Sequence, residues 1–154
     1  MPPVIRRATL DDIPAIVAIE RQEASAAHWR AEEYAKLVAS GLILVFKPEG
    51  ELRGFICAKS VAGEWELENI VVAKAFQRQR IADSLMQALL GEVEHSGGSK
   101  VFLEVRESNL QARRLYEKRK FRESGRRRNY YQNPSEDAIL YELTLPLTST
   151  LHKI

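Results

Sequence analysis

Two stretches of this 154-residue chain carry side chains able to do chemistry. In the first, Gln77-Arg78-Gln79-Arg80 stands between a short apolar run, Leu67 to Val72, and an apolar stripe at helical spacing. The stripe is Ile81, Leu85, Leu89 and Val93, with Ala82, Met86 and Leu90 one place along. A strand, a tight basic loop and a helix N-terminus make an anion site. The first backbone N–H groups of a helix lack intrahelical partners, and its dipole turns the positive end toward the loop. The expected ligand is a phosphate group. In the second stretch Glu104 lies near the end of a strand and Tyr116 on the helix after it. One strand-loop-helix turn aims both at a common crevice, a carboxylate to take a proton and a phenol to give one. Glu66 and Glu68 are a second carboxylate pair; at period two they share a strand face with Ile70, and Asn69 faces the other way.

Other chemistries find no support. Cys57 lies within an apolar strand, where a thiol behaves as a small hydrophobe, and His28, His95 and His152 show no spacing that pairs one of them with it. No metal-ligand spacing occurs. Arg113, Arg114, Lys118, Arg119, Lys120, Arg122, Arg126, Arg127 and Arg128 crowd one segment ahead of Tyr130-Tyr131. A solvated face is the plain reading, and a hold on a terminal phosphate or on RNA the functional one.

The elements that must position these groups follow in order. Val4 to Ala8 reads as a strand, and Thr9, Asp11 and Asp12 start a helix with Pro14, Ile16 and Val17. A second helix is expected over Arg30 to Val38, then a hairpin of Leu42 to Lys47 and Leu52 to Val61 about Pro48-Glu49-Gly50-Glu51. The central strand, Leu67 to Val72, and the central helix, closed by Gly97-Gly98, come next. Val101 to Val105 is a strand, Ser108 or Asn109 caps the helix bearing Ala112, Leu115 and Tyr116, and strands over Arg122 to Tyr131 and Ala138 to Leu145 finish the set. The order β α α β β β α β α β β implies a mixed sheet with helices on both faces. Its cofactor crevice should lie where Val72 and Val105 end their parallel strands.

Length and composition fit one domain over residues 1–154, with 148–154 as a frayed tail. Hydrophobic residues are 45% and charged residues 29%, as in ordinary soluble proteins. No stretch reaches the ~18 apolar residues of a membrane span, and the N-terminus lacks the apolar centre of a secretory signal. One cysteine excludes an internal disulfide and fits a reducing compartment, so the cytoplasm is expected. A net charge of +2 is too small for binding nucleic acid over the whole surface.

Gln77 to Ala82, Q-R-Q-R-I-A, resembles the acyl-CoA signature of the Gcn5-related N-acetyltransferases, [Q/R]-x-x-G-x-[G/A], and the element order is similar to that fold along nearly the whole chain. The run Leu103, Glu104, Val105, Arg106, Ser108, Asn109, then Leu115, Tyr116, Glu117 and Phe121, resembles one branch, the RimI-type ribosomal-protein-alanine N-acetyltransferases. Trp29, Asn69-Ile70, Arg127 to Tyr131 and Glu136 to Ile139 also look like that branch. The resemblance implies an α/β (α+β) fold with a mixed, mostly antiparallel central sheet. It implies direct transfer of an acetyl group from acetyl-CoA to a protein N-terminal α-amine, that of the N-terminal alanine of a small-subunit ribosomal protein. Glu104 would be the general base and Tyr116 the general acid. Ile70, Val71 and Val72, the loop Arg78, Gln79, Arg80, Ile81, Ala82 and Asp83, and Asn109 and Tyr116 would hold the cofactor. No metal, membrane or direct nucleic-acid partner is implied.

Two residues depart from the pattern: Arg80 stands at the signature's first glycine, and Lys120 at the glycine before Phe121. The Arg80 side chain is expected to point to solvent. Other branches place their base on the central strand, which makes Glu66 or Glu68 the runner-up. A small-molecule amine or a lysine is the second class of acceptor, and a non-catalytic CoA-binding or RNA-binding module the alternative of another class.

Overall fold

The computed structural model describes residues 4–23 and 28–146, so the expected tail lies outside the described residues. The strands are β1 (Ile5–Arg7), β2 (Leu42–Phe46), β3 (Gly54–Val61), β4 (Glu64–Val72), β5 (Lys100–Arg106), β6 (Arg122–Tyr131) and β7 (Glu136–Thr144). The α-helices are α1 (Ile13–Glu20), α2 (Ala31–Ser40), α3 (Ile81–His95) and α4 (Leu110–Lys118). Their order is the expected one. Boundaries moved by a few residues: β3 opens at Gly54 rather than Leu52, and β4 begins at Glu64 rather than Leu67. Thr9, Asp11 and Asp12 form a 3-10 turn ahead of α1 instead of its first turn.

β2 shows why the sheet lies in the middle. Leu42 and Leu44 enter the core beneath α3, and Ile43 and Val45 the core beneath α1 and α2. A strand buried on both faces reads as a continuous apolar run. The seven strands lie in the order β1-β2-β3-β4-β5-β7-β6, and β4–β5 is the parallel pair, the others being antiparallel.

That parallel pair is short. It joins Glu64 to Lys100, Trp65 to Val101 and Glu66 to Phe102. Beyond Glu66, β4 stays with β3 and β5 with β7, so the carboxyl halves of the two central strands part. A bulge aids the parting. Cys57 faces Asn69 while Ala58 faces Leu67, which leaves Glu68 as the extra residue. The bulge also overturns the expected alternation. Leu67 joins the α3 core, Val71 joins the other core, and Glu66, Glu68, Asn69 and Ile70 line one cavity together.

The helices beside the gap are fixed by their ends. Asn109, rather than Ser108, caps α4, its side chain accepting from the Ala112 N–H at 3.2 Å. Gly97 takes φ 87 to end α3, and the Gly98 N–H bonds the Val93 carbonyl at 2.9 Å.

Candidate functional site

Two cavities open in the gap between β4 and β5, and they share Ile70, Asn109 and Ala112. The first, about 450 Å³, brings Glu66, Glu68 and Glu104 together with Tyr116, Tyr130 and Tyr131. The second, about 370 Å³, lies against the loop ahead of α3 and is lined by Val72, Arg78, Arg80, Ile81, Ala82 and Asp83, among others.

In the first cavity Glu104 accepts from Arg127 Nε at 2.7 Å, and its charge raises Tyr130, whose hydroxyl also bonds it. Tyr116 is 5% exposed, and burial, then the neighbouring Tyr131 and Tyr141, raises it well above the usual phenol range. It therefore keeps its proton at neutral pH. Tyr131 is pushed up to about 12 by burial and by Glu104, with Arg106 stacked on its ring at 4.4 Å. Glu68 differs from Glu104. Its Oε2 is buried without a partner, and burial, then the charge of Glu66 and a bond to it, pushes it up to about 7. It is therefore poised to gain or lose a proton near neutral pH.

In the second cavity Arg80 precedes α3 in the left-handed region, φ 63, ψ 18, without a side-chain cap on the helix. Arg78 also has positive φ, 67. With the Ser84 N–H donating the first intrahelical bond to the Arg80 carbonyl, the N–H groups of Ile81, Ala82 and Asp83 are left for a ligand. Arg78 and Arg80 are exposed beside them. This combination fits a polyphosphate: a dipole end, three amides and the Arg78 cation beside them. Three of the expected cofactor residues can contribute only through the backbone. Ile81 and Val71 bury their side chains in the two cores, and Asp83 gives its carboxylate to Arg119 at 2.8 Å and Lys118 at 3.6 Å. Gln79 and Val71 line neither cavity, Gln79 being exposed. Tyr116 falls in the first cavity rather than the second.

Sequence reasoning missed the tyrosine pair Tyr130-Tyr131 as cavity wall and the buried Glu20 behind Trp29. Tyr130 and Tyr131 follow three arginines, and only the β6–β7 pairing brings them opposite β5. Among the described residues, no helix is long and apolar enough to cross a membrane and no cluster of His, Cys, Asp and Glu could hold a metal ion.

A sheet split at its parallel pair, with a helix N-terminus on one side and carboxylates and tyrosines on the other, has the layout of an acyltransferase fold. The Acetyltransferase (GNAT) family model matches residues 10–121, and the chain belongs to that family of N-acetyltransferases. It is 34% identical over 139 residues to the ribosomal protein bS18-alanine N-acetyltransferase of Escherichia coli, covering 88% of this chain and 93% of that one. The crystal structure of the ribosomal-protein-S18-alanine N-acetyltransferase from Escherichia coli matches with a TM-score of 0.83 at 32% identity, over 93% of this chain and 94% of the other. That of an N-acetyltransferase from Staphylococcus aureus Mu50 matches at 0.80 and 25% identity, over 92% and 98%.

Proposed function

We propose that this chain acetylates the N-terminal α-amine of a protein with acetyl-CoA, and that its acceptor is the N-terminal alanine of ribosomal protein bS18. One observation carries the reading: the cavity at the α3 N-terminus and the carboxylate cavity meet at Ile70, Asn109 and Ala112, so donor and acceptor can be held at once. The relatives named for bS18-alanine acetylation supply the choice of acceptor.

The donor's phosphates would lie on the α3 amides with Arg78 beside them, and its thioester supplies the acetyl group. Glu104 takes a proton from the α-ammonium, directly or through a water. With an unperturbed pKa of about 7.7 to 8.0, the ammonium asks little of the base. The amine forms a C–N bond to the acetyl carbon as the C–S bond breaks, Tyr116 gives its proton to the departing thiolate, and the second proton lost by the nitrogen passes to water. Solvent restores the tyrosine. A lysine acceptor, at about 10.4, would ask more of the same carboxylate.

A second reading of the base is favoured by Glu68 on β4, whose Oε2 is buried without a partner and which is pushed up to about 7. In that reading Glu104 serves as the counter-charge to Arg127.

Mass spectrometry of a peptide carrying the bS18 N-terminus, incubated with chain and acetyl-CoA, should show one acetyl group on the α-amine. Acetylation confined to lysine side chains, or none, would overturn the acceptor assignment.

A further inference from the structure

The arginine bonded to Glu104 holds it by one edge only. Arg127 Nε donates to Glu104 Oε2 at 2.7 Å, and the guanidinium carbon lies 5.7 Å from the centre of the Tyr130 ring. The side chain is 55% exposed, and among the described residues its terminal NH2 groups meet no hydrogen-bond partner. Nearby arginines are fully engaged. Arg126 commits its NH2 groups to Asp137 at 2.7 Å and Glu107 at 3.1 Å, and Arg106 commits its own to Glu136 and the carbonyls of Gln132 and Pro134. An arginine acting as a counter-charge alone gains most from gripping a carboxylate with both prongs of its fork, as Arg6 grips Asp12 at 2.9 and 3.2 Å. Arg127 forgoes that grip and keeps its terminal donors at the mouth of the carboxylate cavity.

The sheet aims it there. Arg127 of β6 and Arg106 of β5 both face Ala138 of β7 in register, while Glu104 and Gly125 both face Leu140 one row on. Leu140 fills its row toward β6: a Cβ on Gly125 would stand 3.3 Å from Leu140 Cδ1. Ala138 puts only a methyl group in the other row, which leaves a path for Arg127 to cross β7 and reach Glu104. Beyond Arg127 the strand bulges, with Arg128, Asn129 and Tyr130 opposite Asp137 alone. The bulge returns Tyr130 to the side of Arg127, where its hydroxyl also bonds Glu104. A carboxylate accepts about four hydrogen bonds, so these two leave room for an ammonium.

The outcome is a carboxylate and a set of N–H donors side by side. An α-amino group carries the complement, an ammonium with the carbonyl oxygen of its own residue about 3 Å away. A lysine ammonium stands at the end of a flexible four-carbon stem with no carbonyl near it.

We propose that Arg127 determines specificity for an α-amine: anchored on Glu104 by its Nε, it gives its terminal N–H groups to the carbonyl oxygen of the acceptor's first residue while Glu104 receives the amine. This rests on the acceptor entering the carboxylate cavity with its amine at Glu104.

The test pairs a change in the protein with a change in the acceptor. Arg127→Met removes the donors and keeps an unbranched stem over Ala138. The second peptide is a bS18 N-terminal peptide whose first amide is replaced by a trans alkene, which keeps the shape and lacks the carbonyl. On going from the amide to the alkene peptide, kcat/KM should fall about tenfold further for the wild type than for Arg127→Met, the coupling of one hydrogen bond from a charged donor. On a peptide with both a free N-terminus and a lysine, the variant should lose about tenfold in α-acetylation and keep the wild-type rate on lysine. The KM for acetyl-CoA and the melting temperature should stay at their wild-type values. If Arg127 acts only through the charge of Glu104, or only on folding, the variant loses the same factor on both peptides and both amines. That result overturns the proposal, and with an active wild type it removes the role of Arg127 alone. A wild type that acetylates no N-terminal amine removes the acceptor reading and this inference with it.

Discussion

At the scale of single residues, the open contest is between two carboxylates. Glu104 has an arginine at 2.7 Å and a tyrosine hydroxyl bonded to it. Glu68 has a buried, unpartnered oxygen and Glu66 beside it, which favour the neutral form. If Glu104 is the base, Glu104→Gln lowers kcat by roughly 10²- to 10⁴-fold, and Tyr116→Phe does likewise, with acetyl-CoA affinity little changed. Glu68→Gln then leaves the rate within a few-fold of wild type. The reverse pattern moves the base to β4, and the kcat profile should then rise with pH through about 7. Stability offers a separate readout. The folded chain holds the Glu68 proton up to about 7, whereas the unfolded chain releases it near 4.5. Over that window the folded state binds more protons, so this group makes stability fall as pH rises from 4.5 to 7. Discounted for solvent screening, the loss is about 1 to 2 kcal/mol. Denaturant midpoints for wild type and Glu68→Gln should coincide near pH 4 and separate by pH 7.5, the variant being more stable; parallel curves would show that Glu68 titrates normally. The sequence pointed to Glu104, Tyr116 and both β4 glutamates, because a strand end and a period of two are local features. It gave no sign of the distinction between Glu68 and Glu104, which comes from a bulge and a distant arginine.

At the scale of elements, the two departures from the family pattern have a common explanation. Arg80 at φ 63 and Lys120 at φ 77 both take the left-handed conformation that glycine adopts freely. At α4 the motif forms regardless: the Phe121 N–H reaches the Tyr116 carbonyl at 3.0 Å and the Lys120 N–H the Glu117 carbonyl at 3.0 Å. The backbone geometry is retained and its cost is carried as strain, about 1 kcal/mol for each residue. Lys120→Gly and Arg80→Gly should each stabilise the chain by up to that amount, measured by chemical denaturation. Arg80 also bears on the cofactor. Its side chain is exposed, as expected, and the three free amides of α3 do not depend on it. Arg80→Gly should therefore leave acetyl-CoA affinity unchanged or improved in calorimetry. A tenfold weakening, about 1.4 kcal/mol, would make the guanidinium a phosphate ligand. Element order and most helix ends were legible because apolar periods, Asn109 and Gly97-Gly98 act over a few residues. The bulge at Glu68 and the early end of the β4–β5 pairing were not, since both depend on what β3 and β7 do to the central strands.

At the scale of the whole molecule, the parting of β4 from β5 bears on the kinetic order. One sheet supplies both sites: its α3 side presents the amides and arginines, the strand ends present the carboxylates and tyrosines, and the cavities meet at Ile70, Asn109 and Ala112. Donor and acceptor can then occupy the gap together, and the acetyl group need never rest on the protein. The one thiol in the sequence agrees with this. Cys57 is fully buried in β3, and burial, then the charge of Glu68, holds it well above the usual thiol range, so a nucleophilic thiolate is not available. Initial rates over a grid of acetyl-CoA and peptide concentrations should give double-reciprocal lines that intersect, the mark of a ternary complex, and Cys57→Ala should keep that pattern. Parallel lines, together with a protein mass raised by one acetyl group when acetyl-CoA is supplied alone, would mean an acyl-enzyme. That outcome would break the link between the split sheet and direct transfer, because two cavities that never fill together have no need to meet.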